Sequence, residues 1–132
     1  MQPPSAPPSD TAGAPAAAFV CLEVMRKRSD FLATARGRRA SALGLNLQGR
    51  DRGDKAQPRV GFTATKKVGN AVQRNRAKRR LRALAREVLT GLARPGWDYV
   101  IVARPETTAE RAWADLVEDL TSALHRVHGA AR

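Results

Sequence analysis

Residues 66–87 have the sequence KKVGNAVQRNRAKRRLRALARE, and they carry the strongest pattern in the chain. Asn70 is a favoured N-cap, and the apolar positions after it recur at helical spacing up to about residue 93. At 100° per residue, one side of this helix is apolar and carries Ala77, Leu81, Leu84, Ala85, Val88 and Leu92. The other side carries Arg76, Arg79, Arg80, Arg82 and Arg86. The pattern predicts one long helix that packs on a core through one face and presents positive charge on the other.

The whole chain is strongly basic, with 24 Lys and Arg residues against 12 Asp and Glu residues among 132, and a formal net charge of +12. Nine of these bases lie within residues 66–86, where there is no acid. Neutralisation by i, i+4 ion pairs is therefore unavailable inside this segment. Such a block indicates a polyanionic partner, and neutralising several phosphates gives tight but salt-sensitive binding. A solvated basic helix face without a partner is the alternative.

Alternating apolar residues predict two strands ahead of the long helix. Leu43, Leu45 and Leu47 alternate with glycine or polar residues, and residues 59–65 alternate again with one apolar side. The polar stretch 49–58 between them indicates a hairpin with a long loop. The other side of this strand pair carries Gly, Thr, Asn and Arg, so we expect the sheet to have one polar, open face.

Two further helices and a buried strand complete the predicted fold. Ser29 is the expected N-cap of a short first helix that ends at Gly37, and residues 38–42 have room for one more strand. Residues 97–103 are almost continuously apolar, as expected of a buried central strand. Thr107 fits a capping box ahead of a last helix with the apolar stripe Trp113, Leu116, Val117, Leu120, Leu124 and Val127. The predicted order is α-β-β-β-α-β-α, a small α+β domain with helices mainly on one face of the sheet.

The two ends of the chain differ from this domain in composition. Residues 1–18 hold five of the eight prolines and six alanines. This composition cannot bury enough surface to offset the loss of chain entropy, so we expect a disordered tail. The folded domain is expected over residues 19–128, with residues 129–132 as a short disordered C-terminus. We also expect a cytoplasmic protein, because no segment has the pattern of a signal peptide or a membrane span.

The sequence has no recognisable catalytic or metal-binding constellation. Cys21 is the single cysteine, which excludes a disulfide framework and a zinc site built from several cysteines. His125 and His128 are spaced to share a metal but lack a third ligand. The acids of the last helix, among them Asp119, are expected on a solvated face. We therefore predict no catalytic residue, no metal site and no cofactor bound by the protein's own side chains.

The basic segment resembles the signature of the bacterial ribonuclease P protein subunit. That family carries an RNR, then K-R and then R-E in its second helix, and the chain has Arg74-Asn75-Arg76, Lys78-Arg79 and Arg86-Glu87. Similar flanking motifs are RSDF at residues 28–31, RVGF at 59–62 followed by KKVG at 66–69, and DYVIVAR at 98–104. The resemblance covers about residues 24–128.

The resemblance implies that a partner RNA performs the chemistry. It implies a ribonucleoprotein, most simply with one protein per catalytic RNA, that uses Mg²⁺ to hydrolyse precursor tRNA at the 5′ end of the mature sequence. The protein then needs no catalytic side chain. The residues implied to face RNA are Lys66, Lys67, Asn70, Arg74, Asn75, Arg76, Lys78, Arg79, Arg80, Arg82 and Arg86. A cleft for the single-stranded 5′ leader is implied at Phe31, Arg59 and Phe62, with Phe31 stacking on a base.

The same resemblance implies details of the fold. The basic helix should cross between two parallel strands with left-handed topology, as in the second domain of ribosomal protein S5, whereas general chain rules favour the right-handed crossover. One position departs from the family pattern, since Ala35 stands where many members have a second aromatic residue one turn after Phe31. We therefore expect binding of the leader to depend more on contacts to its phosphates than on base stacking.

Two other functions are compatible with the residues alone. The first is a binding module of another kind, such as a ribosomal or DNA-associated protein, which should bind duplex DNA as well as structured RNA in the same salt. The second is a protein-only nuclease, which should cut RNA without a partner and lose that activity on a single acidic substitution.

Overall fold

The structure, a computed structural model, describes residues 22–129. The elements are β1 (Glu23–Val24), α1 (Arg28–Ala35), β2 (Arg38–Ser41), β3 (Leu45–Asp51), β4 (Arg59–Thr63), a 3-10 turn (Lys66–Val68), α2 (Ala71–Leu92), β5 (Trp97–Ala103), α3 (Thr107–Glu110) and α4 (Trp113–Gly129). The predicted α+β class is confirmed, and the order gains β1 and the one-turn α3. The tail predicted over 1–18 lies outside the described residues. At the other end α4 continues to Gly129, the first residue of the predicted disordered C-terminus.

The five strands form one mixed sheet in the order β1-β4-β5-β3-β2. The predicted hairpin of β3 with β4 is wrong, because β5 lies between them, antiparallel to β3 and parallel to β4. Alternation shows which residues of a strand share a face but not which strand is its neighbour. The almost continuously apolar β5 takes the central, doubly covered position. Helix α2 therefore connects two adjacent parallel strands, and the hand of this crossover stays a prediction.

Helices α2 and α4 pack on one face of the sheet and enclose the main core. Fully buried side chains there include Leu45, Leu47, Leu81, Leu84, Leu89, Tyr99, Ile101, Leu116, Leu120 and Leu124. Helix α1 lies on the other face, where the ring of Phe31 covers Gly61. A Cβ at residue 61 would lie 2.5 Å from this ring, so any larger residue would require the ring to move. The helices are thus mainly on one face, as predicted, with α1 the exception.

The start of α1 and the start of β3 differ from the predictions. The carbonyl of Lys27 accepts hydrogen bonds from the backbone N–H groups of Asp30 and Phe31, so the helix begins before Ser29, which lies inside it. Leu43 is 68% exposed and precedes the strand, because the chain turns there from β2 into β3. Both errors come from backbone turns whose hydrogen bonds the side-chain pattern does not reveal.

The turn before α4 is fixed by Thr108 rather than by the predicted cap Thr107. The hydroxyl of Thr108 accepts from the backbone N–H of Arg104 at 2.7 Å and donates to the carbonyl of Gly44 at 2.6 Å. Thr107 lies inside α3, and α4 begins separately at Trp113. The link to Gly44 spans 64 residues of sequence and is invisible in a local pattern.

Asp119 on α4 is also engaged with the protein instead of lying on a solvated face. Its Oδ2 accepts from the backbone N–H of Gly44 at 3.1 Å and from Nε of Arg111 at 2.6 Å. These bonds tie α4 to the turn that enters β3 and to the segment that precedes α4. The prediction of a solvated carboxylate is therefore wrong for this residue.

The two histidines of α4 lie in different surroundings. His125 is exposed, whereas His128 is buried beside Trp97 and Tyr99. The Tyr99 hydroxyl accepts from the backbone N–H of Arg94 at 2.9 Å and shares a hydrogen bond with Nε2 of His128, 2.7 Å away. Burial lowers the pKa of His128 to about 4, and the ring is neutral at physiological pH. No group of three or more His, Cys, Asp or Glu within residues 22–129 is placed to hold a metal.

Three arginines converge on one buried carboxylate on the α1 face of the sheet. Asp98 on β5 is completely buried, and its register neighbours are Arg50 on β3 and Arg59 on β4. Arg59 donates from Nε and Nη2 at 2.8 Å each and Arg50 from Nη2 at 2.9 Å, while Arg52 donates from Nη1. Burial alone would raise the pKa of Asp98, but Arg59 and Arg52 outweigh it, and the pKa lies below its ordinary value. Arg59 also binds Asp30 at 3.0 Å, which ties α1 to the sheet.

None of the helices within residues 22–129 combines the length and the apolar character that crossing a bilayer requires.

Substitution of Asp98 by asparagine tests the contribution of this ion cluster. We expect D98N to lower the free energy of unfolding by about 3–5 kcal/mol, because three arginines lose the buried charge that compensates them. Urea unfolding followed by circular dichroism measures the change. The matched control is D54N, which removes an exposed partner of Arg52 and is expected to shift the urea midpoint little. A D98N protein as stable as the unsubstituted chain would contradict the expectation.

Candidate nucleic-acid interface

The N-terminus of α2 is closed by a reciprocal capping box, as the N-cap prediction required. Oδ1 of Asn70 accepts from the backbone N–H of Gln73, and Oε1 of Gln73 accepts from the backbone N–H of Asn70, both at 2.9 Å. Gly69 has a φ of 143°, and a Cβ there would lie 1.8 Å from Oε1 of Gln73. Lys66 and Lys67 lie exposed in the turn just before it. Because the side-chain oxygen of Asn70 is engaged in the cap, Asn70 can contact a ligand only through its side-chain N–H groups.

The apolar side predicted for α2 is buried. Its members inside the core are Ala77, Leu81, Leu84, Ala85 and Val88, joined by Leu89. Leu92 at the end of the helix is 38% exposed and is the exception. Arg74 and Lys78 lie nearest to this buried side and are partly buried. The sequence therefore predicted the orientation of the helix correctly.

One flank of α2, which we call the cationic flank, is formed by Asn75, Arg79, Arg82 and Arg86. All four side chains are exposed and recur at helical spacing, and three of them line one concave surface with Val72, which is 73% exposed. Within the part of the chain that the structure describes, these arginines form no ion pair with a carboxylate. Their charge is available to an external partner.

The opposite flank of α2 is partly used by the protein itself. Arg80 is partly buried, and its Nη1 donates to the carbonyls of Thr108 and Ala109 at 2.8 and 2.9 Å. Its guanidinium carbon lies 5.7 Å from the centre of the Trp113 ring, whose Nε1 donates to Glu87 at 3.0 Å. Arg80 thus joins α2 to α3 and α4. Its predicted role toward RNA competes with this structural one.

Arg76 lies exposed on this second flank beside two acids. It lines a recess of about 230 Å³ together with Arg104, Glu106 and Glu110. The nearby carboxylates weaken the attraction that this flank exerts on phosphate, in contrast to the cationic flank. The continuous positive surface of α2 is therefore the side of Arg79, Arg82 and Arg86.

The three residues predicted to line one cleft are divided between the two faces of the sheet. Successive residues of a strand point to opposite faces, so Arg59 and Gly61 face α1 and Phe31, whereas Val60 and Phe62 face α2. Phe62 packs against the core and lies under Arg82, whose guanidinium carbon is 5.7 Å from the ring centre. The prediction that Phe62 shares a cleft with Phe31 is wrong, and the reason is strand alternation.

Arg59 is present on the expected face, but its donors are bound within the protein. Nε and Nη2 bind Asp98, and Nη1 binds Asp30. The hydrogen bonds and the charge of Asp98 raise the pKa of Arg59 against the effect of burial. Its side chain serves first to hold α1 on the sheet.

Arg50 and Arg52 were missed because they lie in the stretch interpreted as a polar loop. Strand β3 instead extends to Asp51, and Arg50 lies directly opposite Asp98. Nε of Arg50 is buried without a hydrogen-bond partner among the described residues. An acid at position 98, inside an otherwise apolar strand, was the available signal, since a buried carboxylate requires cationic partners.

The fold and these surfaces are those of a small α+β protein with a strongly cationic helix face. Residues 21–128 match the model of the family described as Ribonuclease P. The ribonuclease P protein component of Ruegeria pomeroyi is 53% identical over 120 residues, which cover 86% of this chain and 96% of that protein. That of Caulobacter vibrioides is 52% identical over 104 residues, covering 78% and 69%. The chain belongs to the ribonuclease P protein family.

Solved structures agree with this assignment. The RNase P protein from Thermotoga maritima superposes with a TM-score of 0.66 at 27% identity, covering 80% of this chain and 97% of that one. The Staphylococcus aureus RNase P protein gives a TM-score of 0.61 at 21% identity, covering 83% and 94%, which supports the fold. The bacterial ribonuclease P resemblance is confirmed, and with it the small α+β fold.

Arginines of the two flanks should differ in their contribution to stability. We expect R80A to lower the free energy of unfolding by about 1–3 kcal/mol, because two carbonyls lose a charged donor and the Trp113 ring loses its cation. R79A removes an equally long side chain from the exposed cationic flank and should leave the urea midpoint unchanged. Equal unfolding curves for R80A and the unsubstituted protein would contradict the structural role of Arg80.

Proposed function

We propose that this chain is the protein subunit of a ribonuclease P whose RNA removes the 5′ leader of precursor tRNA in a Mg²⁺-dependent reaction. Family membership gives a role in an endoribonuclease complex and in tRNA processing. The observation that best supports the proposal is the cationic flank of α2, a row of arginines that pair with no carboxylate within residues 22–129 and lie on a helix packed against the core.

Catalytic RNA binds to α2 in this proposal. The exposed arginines neutralise phosphates, and the release of condensed counterions drives the association. Lys66, Lys67 and the helix N-terminus add cationic and backbone donors at one end of the same surface. Asn70 and Asn75 supply hydrogen bonds that arginine cannot, including acceptor contacts to base edges from Asn75.

The 5′ leader binds on the opposite side of the sheet, between α1 and the polar face. Phe31 offers the stacking surface for one base. Arg59 lies in this cleft, but its guanidinium is paired with Asp98 and Asp30. The leader phosphates therefore bind mainly to Lys66 and Lys67, at the place where the two surfaces meet. Phe62 is not part of the leader site.

In this assembly the protein supplies positive charge and no catalytic side chain. It works in the cytoplasm as one copy per catalytic RNA, and its surface screens the repulsion between the catalytic RNA and the substrate. Mg²⁺ is held by the RNA. The complex should therefore need less Mg²⁺ than the RNA alone, because part of the phosphate charge is already neutralised.

Cleavage of precursor tRNA by the cognate catalytic RNA at limiting Mg²⁺ tests the function. With protein we expect a cut at the 5′ end of the mature sequence, and without protein little or no cleavage under the same conditions. Protein alone is the control and should not cut. Identical cleavage with and without protein would contradict the proposal, whereas cleavage by protein alone, lost on a single acidic substitution, would favour a protein-only nuclease.

Salt dependence tests the placement of the RNA on α2. The double variant R76A/R79A should bind the catalytic RNA more weakly, and the slope of log K against log salt should fall by about one to two, with most of the change from Arg79 because Arg76 lies beside Glu106 and Glu110. The control is R126A at the opposite edge of the sheet, where Arg126 binds the carbonyl of Ser41. An unchanged slope in R76A/R79A would exclude these residues from the interface. Equal affinity for duplex DNA and structured RNA would favour the DNA-associated alternative.

A further inference from the structure

An apolar groove lies beside the cationic flank, between the β1–β4 edge of the sheet and α2. Its walls include Val24, Val60, Phe62 and Ala85, with Arg82 and Arg86 alongside, and its volume is about 210 Å³. Val60 and Ala85 belong to the core, whereas Val24 is 50% exposed on the two-residue edge strand. The groove is thus an extension of the core that reaches the surface next to two arginines.

Arg82 has a different environment from the other arginines of this flank. Its guanidinium carbon lies 5.7 Å from the centre of the Phe62 ring, within the range of a cation–π interaction. Among the described residues no carboxylate pairs with it, so the ring is what orients it. The planar guanidinium of arginine is also a group on which a nucleobase stacks well, so Arg82 and the Phe62 ring together offer flat surfaces to an unpaired base.

The apolar walls and the two arginines of the groove together favour one class of ligand. A phosphate contact alone requires no apolar wall, and a purely apolar partner gains nothing from Arg82 and Arg86, which pair with no carboxylate in the described part of the chain. An unstacked nucleobase has a flat apolar face flanked by phosphates, which matches an apolar wall with Arg82 above Phe62 and Arg86 nearby. The groove also continues directly into the cationic flank proposed to bind the catalytic RNA.

We infer that this groove binds one unstacked base of the catalytic RNA, which stacks on the Arg82–Phe62 pair while Arg86 contacts an adjacent phosphate. This inference rests on the proposed function and deepens it, because α2 then recognises the conformation of the RNA and not only its charge. The site lies on the face of the sheet opposite the proposed leader cleft, so it contacts the catalytic RNA and not the leader.

Two substitutions that keep charge and bulk test the stack. F62L keeps an apolar wall but removes the ring, and R82K keeps the charge but removes the planar group. Each should weaken binding of the catalytic RNA about tenfold, the usual effect of losing one base stack, while the slope of log K against log salt stays unchanged. R126K is the matched control, since it makes the same change in an exposed arginine at the opposite edge of the sheet, outside the proposed RNA surface, and should leave RNA binding unchanged.

Chemical probing of the RNA provides a direct second readout. One base should be protected from a base-modifying reagent in the complex with the unsubstituted protein, and should become reactive with F62L and with R82K but not with R126K. The thermal midpoint of each variant is measured alongside, because Phe62 also contacts the core. R82K changes only an exposed side chain and keeps the test decisive if F62L is destabilised.

The outcomes separate this inference from the proposed function. Normal affinity and normal base protection for R82K would overturn the stacking site while leaving the proposed function intact. A lowered thermal midpoint for F62L with unchanged RNA binding would show that the groove serves the protein's own packing, and would overturn the site as well. Failure of the unsubstituted protein to bind the catalytic RNA would instead overturn the proposed function.

Discussion

The carboxylate of Asp98 is the group on which the geometry of both surfaces depends. It lies on the central strand and binds arginines from β3, from β4 and from the chain just after β3, and through Arg59 it also holds α1. A buried charge is tolerated only where such partners surround it. A slip of one residue in β5 would turn this carboxylate toward the apolar core. The ion cluster therefore fixes the register of the three central strands, and with it the face on which every side chain of β4 lies.

Strand β4 consequently serves two surfaces at once. Arg59 and Gly61 lie toward α1, where the missing side chain of Gly61 makes room for the Phe31 ring. Val60 and Phe62 lie toward α2, where Phe62 supports Arg82. The two aromatic rings are close in the fold but separated by the sheet. RNA bound at one of them cannot share its bases with the other, which keeps the proposed contacts to substrate and to catalytic RNA distinct.

The sequence predicted best what depends on neighbouring residues. The long helix, its Asn70 cap and its buried side follow from helical periodicity and local hydrogen bonds, and the apolar β5 was recognisable by composition. Strand pairing was not predictable, because nothing in β3 or β4 indicates that a strand 34 or more residues further along will pair with both. The face of Phe62 was readable from alternation, yet the resemblance to the family suggested the opposite face. Arg80 illustrates the remaining limit, since helical spacing cannot show that α3 supplies carbonyl partners.

Both ends of α2 are anchored in the same sheet. The helix begins shortly after β4 with a closed cap and the chain returns to β5 within a few residues, so both of its ends are held by adjacent parallel strands. The backbone that carries the arginines is consequently preorganised in the free protein, so its encounter with RNA requires ordering of side chains but no folding of the helix. Association should then proceed as between rigid bodies, at a rate set by electrostatic steering and without the large negative heat-capacity change that accompanies coupled folding and binding.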